Sequence, residues 1–313
     1  MKAIVIDHYG SPQELHKSDI PVPQIKEDEV LVKMKATSVN PVDWKTRLGF
    51  LKNKFKTSFP VVLGRDICGV IVKVGSQVDN FKVGDKVFGV PDRYPDGKLG
   101  TYTQYTKIKA DKLALIPSKL SFEQAAAIPL AGLTAWQVVV DRLKVKAGDK
   151  ILIQAGAGGV GMFAIQIAKH LGAYVATTAS PQNEQLLKKL GADKVINYHK
   201  YSIDEVLHDY DAVFDTINQI SRGLKILKPT GKLVTIFGTN GPTKDQQNGH
   251  PSASTWWLQT NGKELKQLAK LVDNNELQVV IDSTFPLTTE GVRSAQRKSE
   301  TNRSRGKIII KIS

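Results

Sequence analysis

Short apolar runs and longer helical stripes occupy different stretches of this chain. Over the first 120 residues, β-favouring runs at 3–6, 30–34, 69–74, 86–90 and 102–108 alternate with Gly, Pro and Asp turns, which predicts a compact β domain. The rhythm changes at Ser121. Ser121-Phe-Glu-Gln has capping-box spacing, with Gln124 three residues on, and Pro129 interrupts an apolar helix pattern ahead of 133–143. Strands then alternate with helices: 151–153, 174–178, 194–196, 212–214 and 232–237 read as parallel strands joined by right-handed crossovers. The tail after Gly306 is strand-like again and is a candidate to rejoin the first domain. The stretch 118–121 and the Gly-, Pro- and polar-rich stretch 239–254 are the expected boundaries.

Within the second half, residues 151–161 read ILIQAGAGGVG. An apolar run passes into Gly156-x-Gly158-x-x-Gly161 and then into a helix whose apolar positions Val160, Ala164, Ile165, Ala168 and Leu171 recur at helical spacing before Gly172. This order of strand, turn and helix builds a seat for a dinucleotide pyrophosphate. Gly156 is expected to supply the tight turn, Gly158 close backbone approach to the phosphates, and Gly161 close packing of helix on strand. The anion would rest on free N–H groups at the helix N-terminus. A β-α-β unit that binds nothing has the same outline, but Gly159 adds a further small residue where backbone approach needs it. The end of the next strand selects the cofactor. An NAD site places Asp or Glu about 20 residues beyond the glycines, whereas this chain has Ser180. A carboxylate would repel a 2′-phosphate and a hydroxyl can donate to one, so NADPH is favoured. No Arg stands beside Ser180, and the nearest following charge is Glu184.

Composition narrows the class further. The 313 residues suffice for two domains with real cores, and 41% hydrophobic content is ordinary for a globular protein. The opening MKAIVIDHYG lacks the apolar core of a signal peptide, and no apolar run approaches the roughly 20 residues of a membrane span, so a cytoplasmic location is expected. The single cysteine, Cys68, excludes an internal disulfide and a cysteine-rich zinc site, and is expected to be a buried thiol. A net charge of +14 raises nucleic acid as a partner. The basic residues are spread, with denser stretches at Lys45, Arg47, Lys52, Lys54 and Lys56 and at Arg293, Arg297, Lys298, Arg303, Arg305 and Lys307. Neither is interleaved with stacking aromatics, so a solvated surface and a basic rim attracting an anionic cofactor are the expectation.

In order along the chain, SVNPVDWK at 38–45, LGRDICGVIVKVG at 63–75, FKVGDKVFG at 81–89, GTYTQY at 100–105, AAAIPLAGLTAWQ at 125–137, AGAGGVG, LGADKVINY at 190–198, FDTI at 214–217 and RGKIIIKI at 305–312 resemble the zinc-free quinone oxidoreductases of the medium-chain dehydrogenase/reductase superfamily. The resemblance runs nearly end to end. It implies an α/β protein in which a GroES-like β domain, 1–120 with 260–313, accompanies a doubly wound Rossmann domain, 121–259, that carries NADPH. Transferred position by position, Ala157, Gly158, Gly159 and Val160 would hold the pyrophosphate, and Ser180 and Tyr198 the 2′-phosphate. Thr134, Phe237 and Gly238 would lie along the nicotinamide half. Asn40 and Asp43 would line the active-site floor, though Asp43 reads equally as a turn or cap residue. A homodimer joined along edge strands of the nucleotide domains is also implied.

Departures from the superfamily matter as much. Zinc alcohol dehydrogenases within it use Gly-His-Glu and a catalytic Cys; here the segment is Gly64-Arg65-Asp66, and the Cys position falls near Asn40. The six histidines form no close ligand pair, so no metal is expected. The chemistry left is hydride transfer from nicotinamide to an electron-poor acceptor, the protein aligning the partners and stabilising charge on oxygen. Several family members have Tyr where this chain has Lys45, which either hydrogen-bonds the acceptor oxygen or the cofactor ribose, or is a solvated charge. An NADPH:quinone reductase is the leading expectation. An enal or enone double-bond reductase is the nearest alternative, and a non-catalytic NADPH-binding or nucleic-acid-associated protein is the alternative of another class.

Overall fold

A computed structural model of the chain describes residues 1–54, 57–92, 99–237, 241–249 and 251–312. It divides into two compact units, Met1–Leu133 with Thr260–Asn274 and Val279–Ser313, and Thr134–Gln259 with Asn275–Gln278.

In the first unit, the long strand Glu29–Val39 is the spine of a seven-stranded sheet. It pairs antiparallel with Ile67–Val74, Tyr105–Lys109 and Lys307–Lys311. Its residues are buried along most of its length, as both faces are covered. The tail strand Lys307–Lys311 inserts between this spine and Ile281–Pro286, so Ile309 lies opposite Ser38. A smaller sheet joins Lys2–Ile6 to His16–Asp19 and Val61–Val62. Ile4, Ile6, Leu15, Tyr102, Ile308 and Ile310 form one apolar cluster with Val292 and Ala295 of the helix Thr289–Glu300. Each fully buried Ile or Leu there contributes about 1.5–3 kcal/mol relative to exposure. Thr288 caps that helix, its hydroxyl accepting from Gly291 N at 3.1 Å.

The expected strand at 102–108 begins only at Tyr105, because Thr101 and Tyr102 donate their N–H groups to Leu63 O instead of a neighbouring strand. That detour turns the Tyr102 ring into the core. The strands Ser252–Thr255 and Ile281–Pro286 carry too few apolar residues to show a period-two signal, and their sequence gave no warning of them.

The second unit is a six-stranded, all-parallel sheet. Its order is Lys194–Asn197, Tyr174–Ala179, Lys150–Ile153, Tyr210–Asp215, Leu227–Thr235, Ser252–Thr255. This is the doubly wound order, and it reverses between Lys150–Ile153 and Tyr210–Asp215, where such sheets open a crevice at their carboxyl ends. The helix Gly159–His170 follows the first strand of this sheet and buries every residue from Gly161 to Ala168. Pro129 serves as the first residue of the helix Pro129–Trp136, where its missing N–H costs nothing, and that helix runs on into a π turn at Gln137–Arg142. Gln137 is buried but fully engaged: Nε2 donates to Gln259 O at 2.7 Å, and Oε1 accepts from Trp256 Nε1 and Gln259 N. Among the described residues no helix is long and apolar enough to cross a membrane.

Candidate functional site

The glycine turn follows Lys150–Ile153 and is tied to the next strand by two bonds, Ala155 N to Thr178 Oγ1 at 2.9 Å and Gly156 N to Thr178 O at 3.1 Å. Its three signature glycines differ in kind. A Cβ on Gly156 would fall within Thr177 Oγ1, and one on Gly161 would strike Ala155 O and the Gly156 backbone, so these two are required by packing. A Cβ on Gly158 would meet only Ala155 O, at 3.3 Å, and otherwise open space. The residue with left-handed backbone is Ala155, at φ 51°, rather than Gly156. The tight turn is therefore made by an alanine held there by its strand bonds, at a cost of about 1–2 kcal/mol. Gly158 is the N-cap of the twelve-residue helix Gly159–His170 and has no side chain to satisfy its first N–H groups. An open glycine face beside unsatisfied N–H groups is what a diphosphate requires, so the turn formed by Ala157, Gly158, Gly159 and Val160 fits a dinucleotide.

Ser180 and Tyr198 come together through strand register. Ala179 pairs with Asn197 across the parallel strands, and the next residue of each is Ser180 and Tyr198. The Ser180 hydroxyl accepts from Asn183 Nδ2 at 3.1 Å, and Tyr198 is 57% exposed with its ring against His199. Phe237 follows the strand Leu227–Thr235, its N–H donating to Thr235 Oγ1 at 3.1 Å. Thr134 is buried on Pro129–Trp136. Gly238 lies outside the described residues, as do Phe55 and Lys56 and residues 239–240.

At the reversal of the sheet lies a polar group that the sequence did not single out. Asp215 Oδ1 accepts from the N–H groups of Ile217 and Gln219, Thr216 Oγ1 donates to Gln154 O, and Gln154 Nε2 donates to Gln219 Oε1. Gln154 Oε1 and Asp215 Oδ2 have no partner among the described residues.

In the first unit, Asn40 and Asp43 start the helix Pro41–Arg47, and the Asn40 N–H donates to Asp43 Oδ2 at 2.8 Å. Asn40 serves a buried ionic group: its Nδ2 donates to Asp66 Oδ2 at 2.7 Å and its Oδ1 accepts from Lys307 Nζ at 2.5 Å. Asp66 is filled by Ser38 Oγ, Asn40 and Leu130 N, with Lys307 Nζ 3.8 Å away. Burial pushes the Lys307 ammonium down from the usual lysine range, while Asp66 and Asp43 hold it up. Tyr102 Oη donates to Asp43 Oδ2 at 3.0 Å. Burial raises the Asp43 carboxyl to about 7; the Asn40 N–H and the Tyr102 hydroxyl pull it down, Asp66 pushes it up further and Lys307 opposes.

Asp43 lines a cavity of about 40 Å³, walled by Val42, Thr46, Leu63 and Arg65 among others, which is room for a water molecule. Lys45 is not in that wall. It lies two residues past Asp43 on the same helix, a spacing that puts side chains on different faces. Half-buried, with Nζ 5.5 Å from the Trp44 ring centre, it has its ammonium pushed down by burial. The structure thus brings Asn40 and Asp43 together, with Lys45 outside the wall of the Asp43 cavity.

Two residues counted with the basic rim belong inside. Arg47 is fully buried, donating to Gly10 O, Gln296 Oε1 and Glu300, and Lys307 is 3% exposed. Neither can attract an anion at the surface. Their burial was invisible because charge counts do not record partners, and Gln296 and Glu300 for Arg47 and Asn40 for Lys307 lie about 250 residues or more away. Arg65 donates to Pro91 O at 2.9 Å. Cys68 is buried as expected, and burial pushes its thiol up.

Two family models match: an alcohol dehydrogenase GroES-like domain over residues 26–118 and a zinc-binding dehydrogenase domain over residues 190–310. The chain is 38% identical to the chloroplastic NADPH-dependent alkenal/one oxidoreductase of Arabidopsis thaliana, over 99% of its own length and 79% of that protein's. It superposes on the quinone oxidoreductase of Coxiella burnetii with a TM-score of 0.88 and 38% identity, covering 100% of this chain and 99% of that one. The chain belongs to the quinone oxidoreductase group of the medium-chain dehydrogenase/reductase superfamily. This oxidoreductase also matches the quinone oxidoreductase of Escherichia coli solved with NADPH, at a TM-score of 0.88 and 29% identity, covering 99% and 100% of the two chains. Membership in this oxidoreductase group accounts for the GroES-like sheet and the doubly wound sheet together, and it sets aside the non-catalytic alternative.

Proposed function

We propose that the protein is an NADPH:quinone oxidoreductase that works without zinc, with residues 1–120 and 260–313 as the catalytic part and 121–259 as the NADPH-binding part. NADPH is its reductant. The observation that carries the reading is the turn in which Gly156 and Gly161 are closed in by packing while Gly158 faces open space. Ala157, Gly158, Gly159 and Val160 hold the pyrophosphate on backbone N–H groups; Ser180 and Tyr198 take the 2′-phosphate; Thr134, Phe237 and Gly238 orient the nicotinamide half. The overall reaction is NADPH, quinone and one proton giving NADP⁺ and hydroquinone.

NADPH supplies the hydride when bound. The chain's own part is the proton. Asp43, buried and titrating at about 7, keeps a transferable proton at neutral pH and delivers it to the acceptor oxygen, while Asn40 fixes its Oδ2 through the backbone N–H. Lys45 offers its ammonium to an acceptor oxygen or a cofactor hydroxyl from the other face of the helix. Zinc independence rests on donor chemistry: Arg65 keeps its proton and cannot ligate, and Asp66 is filled by Ser38, Asn40 and Leu130. The cytoplasmic location and a homodimer belong to the same reading; the edge strand Ser252–Thr255, paired on one side only among the described residues, is the joining edge.

A second reading, an enal or enone double-bond reductase, is favoured by one observation, the 38% identity to the alkenal/one oxidoreductase. Hydride then goes to the β-carbon and the proton to the resulting enolate. Steady-state assays with 1,4-benzoquinone, 9,10-phenanthrenequinone, acrolein and 3-buten-2-one separate the two. Turnover of the quinones supports the first reading, and turnover of the enones alone replaces it with the second.

A further inference from the structure

Asp43 receives both of its hydrogen bonds on one oxygen. The Asn40 N–H, at 2.8 Å, and Tyr102 Oη, at 3.0 Å, converge on Oδ2. Among the described residues nothing donates to Oδ1, and Asp43 forms part of the cavity wall. A carboxyl oxygen that already accepts two donors is a poor place for a proton, so the proton goes to the other.

Tyr102 can act as a donor only if its own hydroxyl is oriented. Arg47 Nε donates to Gln296 Oε1 at 2.7 Å, and since a guanidinium cannot accept, the Gln296 amide is fixed with Nε2 turned away from Arg47. Gln296 Nε2 has no hydrogen-bond partner among the described residues, but the Gln296 side chain is near enough to the Tyr102 hydroxyl to favour its ionisation against the effect of burial. Glu300 holds the other side of the guanidinium. Arg47 thus donates to Gln296, and Tyr102 donates to Asp43, while no hydrogen bond joins Gln296 Nε2 to the Tyr102 hydroxyl.

We propose that Tyr102 is a positioning residue which, with the Asn40 N–H, engages Asp43 Oδ2 and so places the transferable proton on Oδ1, facing the cavity. The proposal rests on the reading of Asp43 as the proton carrier. The O–H bond at Oδ1 breaks as the reduced acceptor takes the proton, and solvent protonates the same oxygen again. Charged and titratable groups facing Asp43 are Tyr102, Asp66 and Lys307, with Arg65 in the cavity wall.

The test is a pair of variants in the full chain, Tyr102→Phe and Asp43→Asn, each checked for an unchanged thermal transition. The Asp43 carboxyl is followed by ¹³C NMR titration, assigned by the signal missing from Asp43→Asn, beside the pH profile of kcat. Loss of a hydroxyl donor to a carboxylate raises the Asp43 titration in Tyr102→Phe by ~1 unit. It lowers kcat by no more than about twofold, because the proton is then shared between two oxygens, and leaves the Kd for NADPH unchanged. Gln296→Leu, which leaves the hydroxyl in place but frees its direction, gives the same changes at smaller size. An Asp43 signal that titrates at the same pH in Tyr102→Phe overturns the inference and leaves Asp43 as proton carrier. An Asp43→Asn enzyme with the parent pH profile overturns both.

Discussion

Lys307 Nζ donates to Asn40 Oδ1 at 2.5 Å across 267 residues of sequence, joining the last strand of the first unit to the residue that opens the helix Pro41–Arg47. The ammonium and the Asp66 carboxylate are both almost fully buried, so each depends on the other to offset desolvation.

Lys307→Met should therefore cost about 3–5 kcal/mol, since it leaves Asp66 buried without its cation. Adding Asp66→Asn should recover much of that loss. Urea unfolding of the two single variants and the double variant measures it; additive losses contradict the pairing.

Asp43 makes stability depend on pH in a defined direction. Its folded carboxyl is raised from 3.8 to about 7, so between those values the folded state holds a proton that the unfolded chain has lost. Its contribution is fully present below about pH 4 and is lost as pH rises through about 7. Three units correspond to roughly 4 kcal/mol. Asp43→Asn should flatten this decline, gaining on the parent as pH rises from 4 to 8. Unfolding free energies across that range check it, and parallel curves count against a raised carboxyl.

The glycine turn predicts a division of effects. Gly156→Ala should destabilise the fold, because its Cβ would fall within Thr177 Oγ1 and between strand and helix. Gly158→Val should leave the thermal transition within a few degrees and weaken NADPH binding at least tenfold, read by cofactor fluorescence. Equal effects of both substitutions on stability remove the assignment of the open face.

Ser180→Asp should raise the KM for NADPH far more than for NADH, because a carboxylate beside Tyr198 repels a 2′-phosphate and not a hydroxyl. Steady-state kinetics with both cofactors decides it, and an equal rise contradicts the placement of the phosphate.

What could be read from the sequence followed from local signals. The strand, turn and helix around Gly156, Gly158 and Gly161 announce themselves within a dozen residues, and most strands of both sheets show their apolar runs. Ser252–Thr255 and Ile281–Pro286 escaped because polar strands carry no such run. The left-handed residue was expected among the glycines and is Ala155, a strain imposed by bonds to Thr178 that pattern does not encode. The buried charges were the largest omission. Arg47 and Lys307 look like ordinary surface cations until Glu300, Gln296, Asn40 and Asp66 are seen around them, and Tyr102 looks like one more aromatic in a strand.

We propose above all that NADPH delivers reducing equivalents here without a metal. The most direct measurement is NADPH oxidation with 9,10-phenanthrenequinone after exhaustive dialysis against a chelator, with zinc added back in parallel. The account predicts undiminished turnover that added zinc does not raise. An enzyme silenced by the chelator and restored by zinc contradicts it.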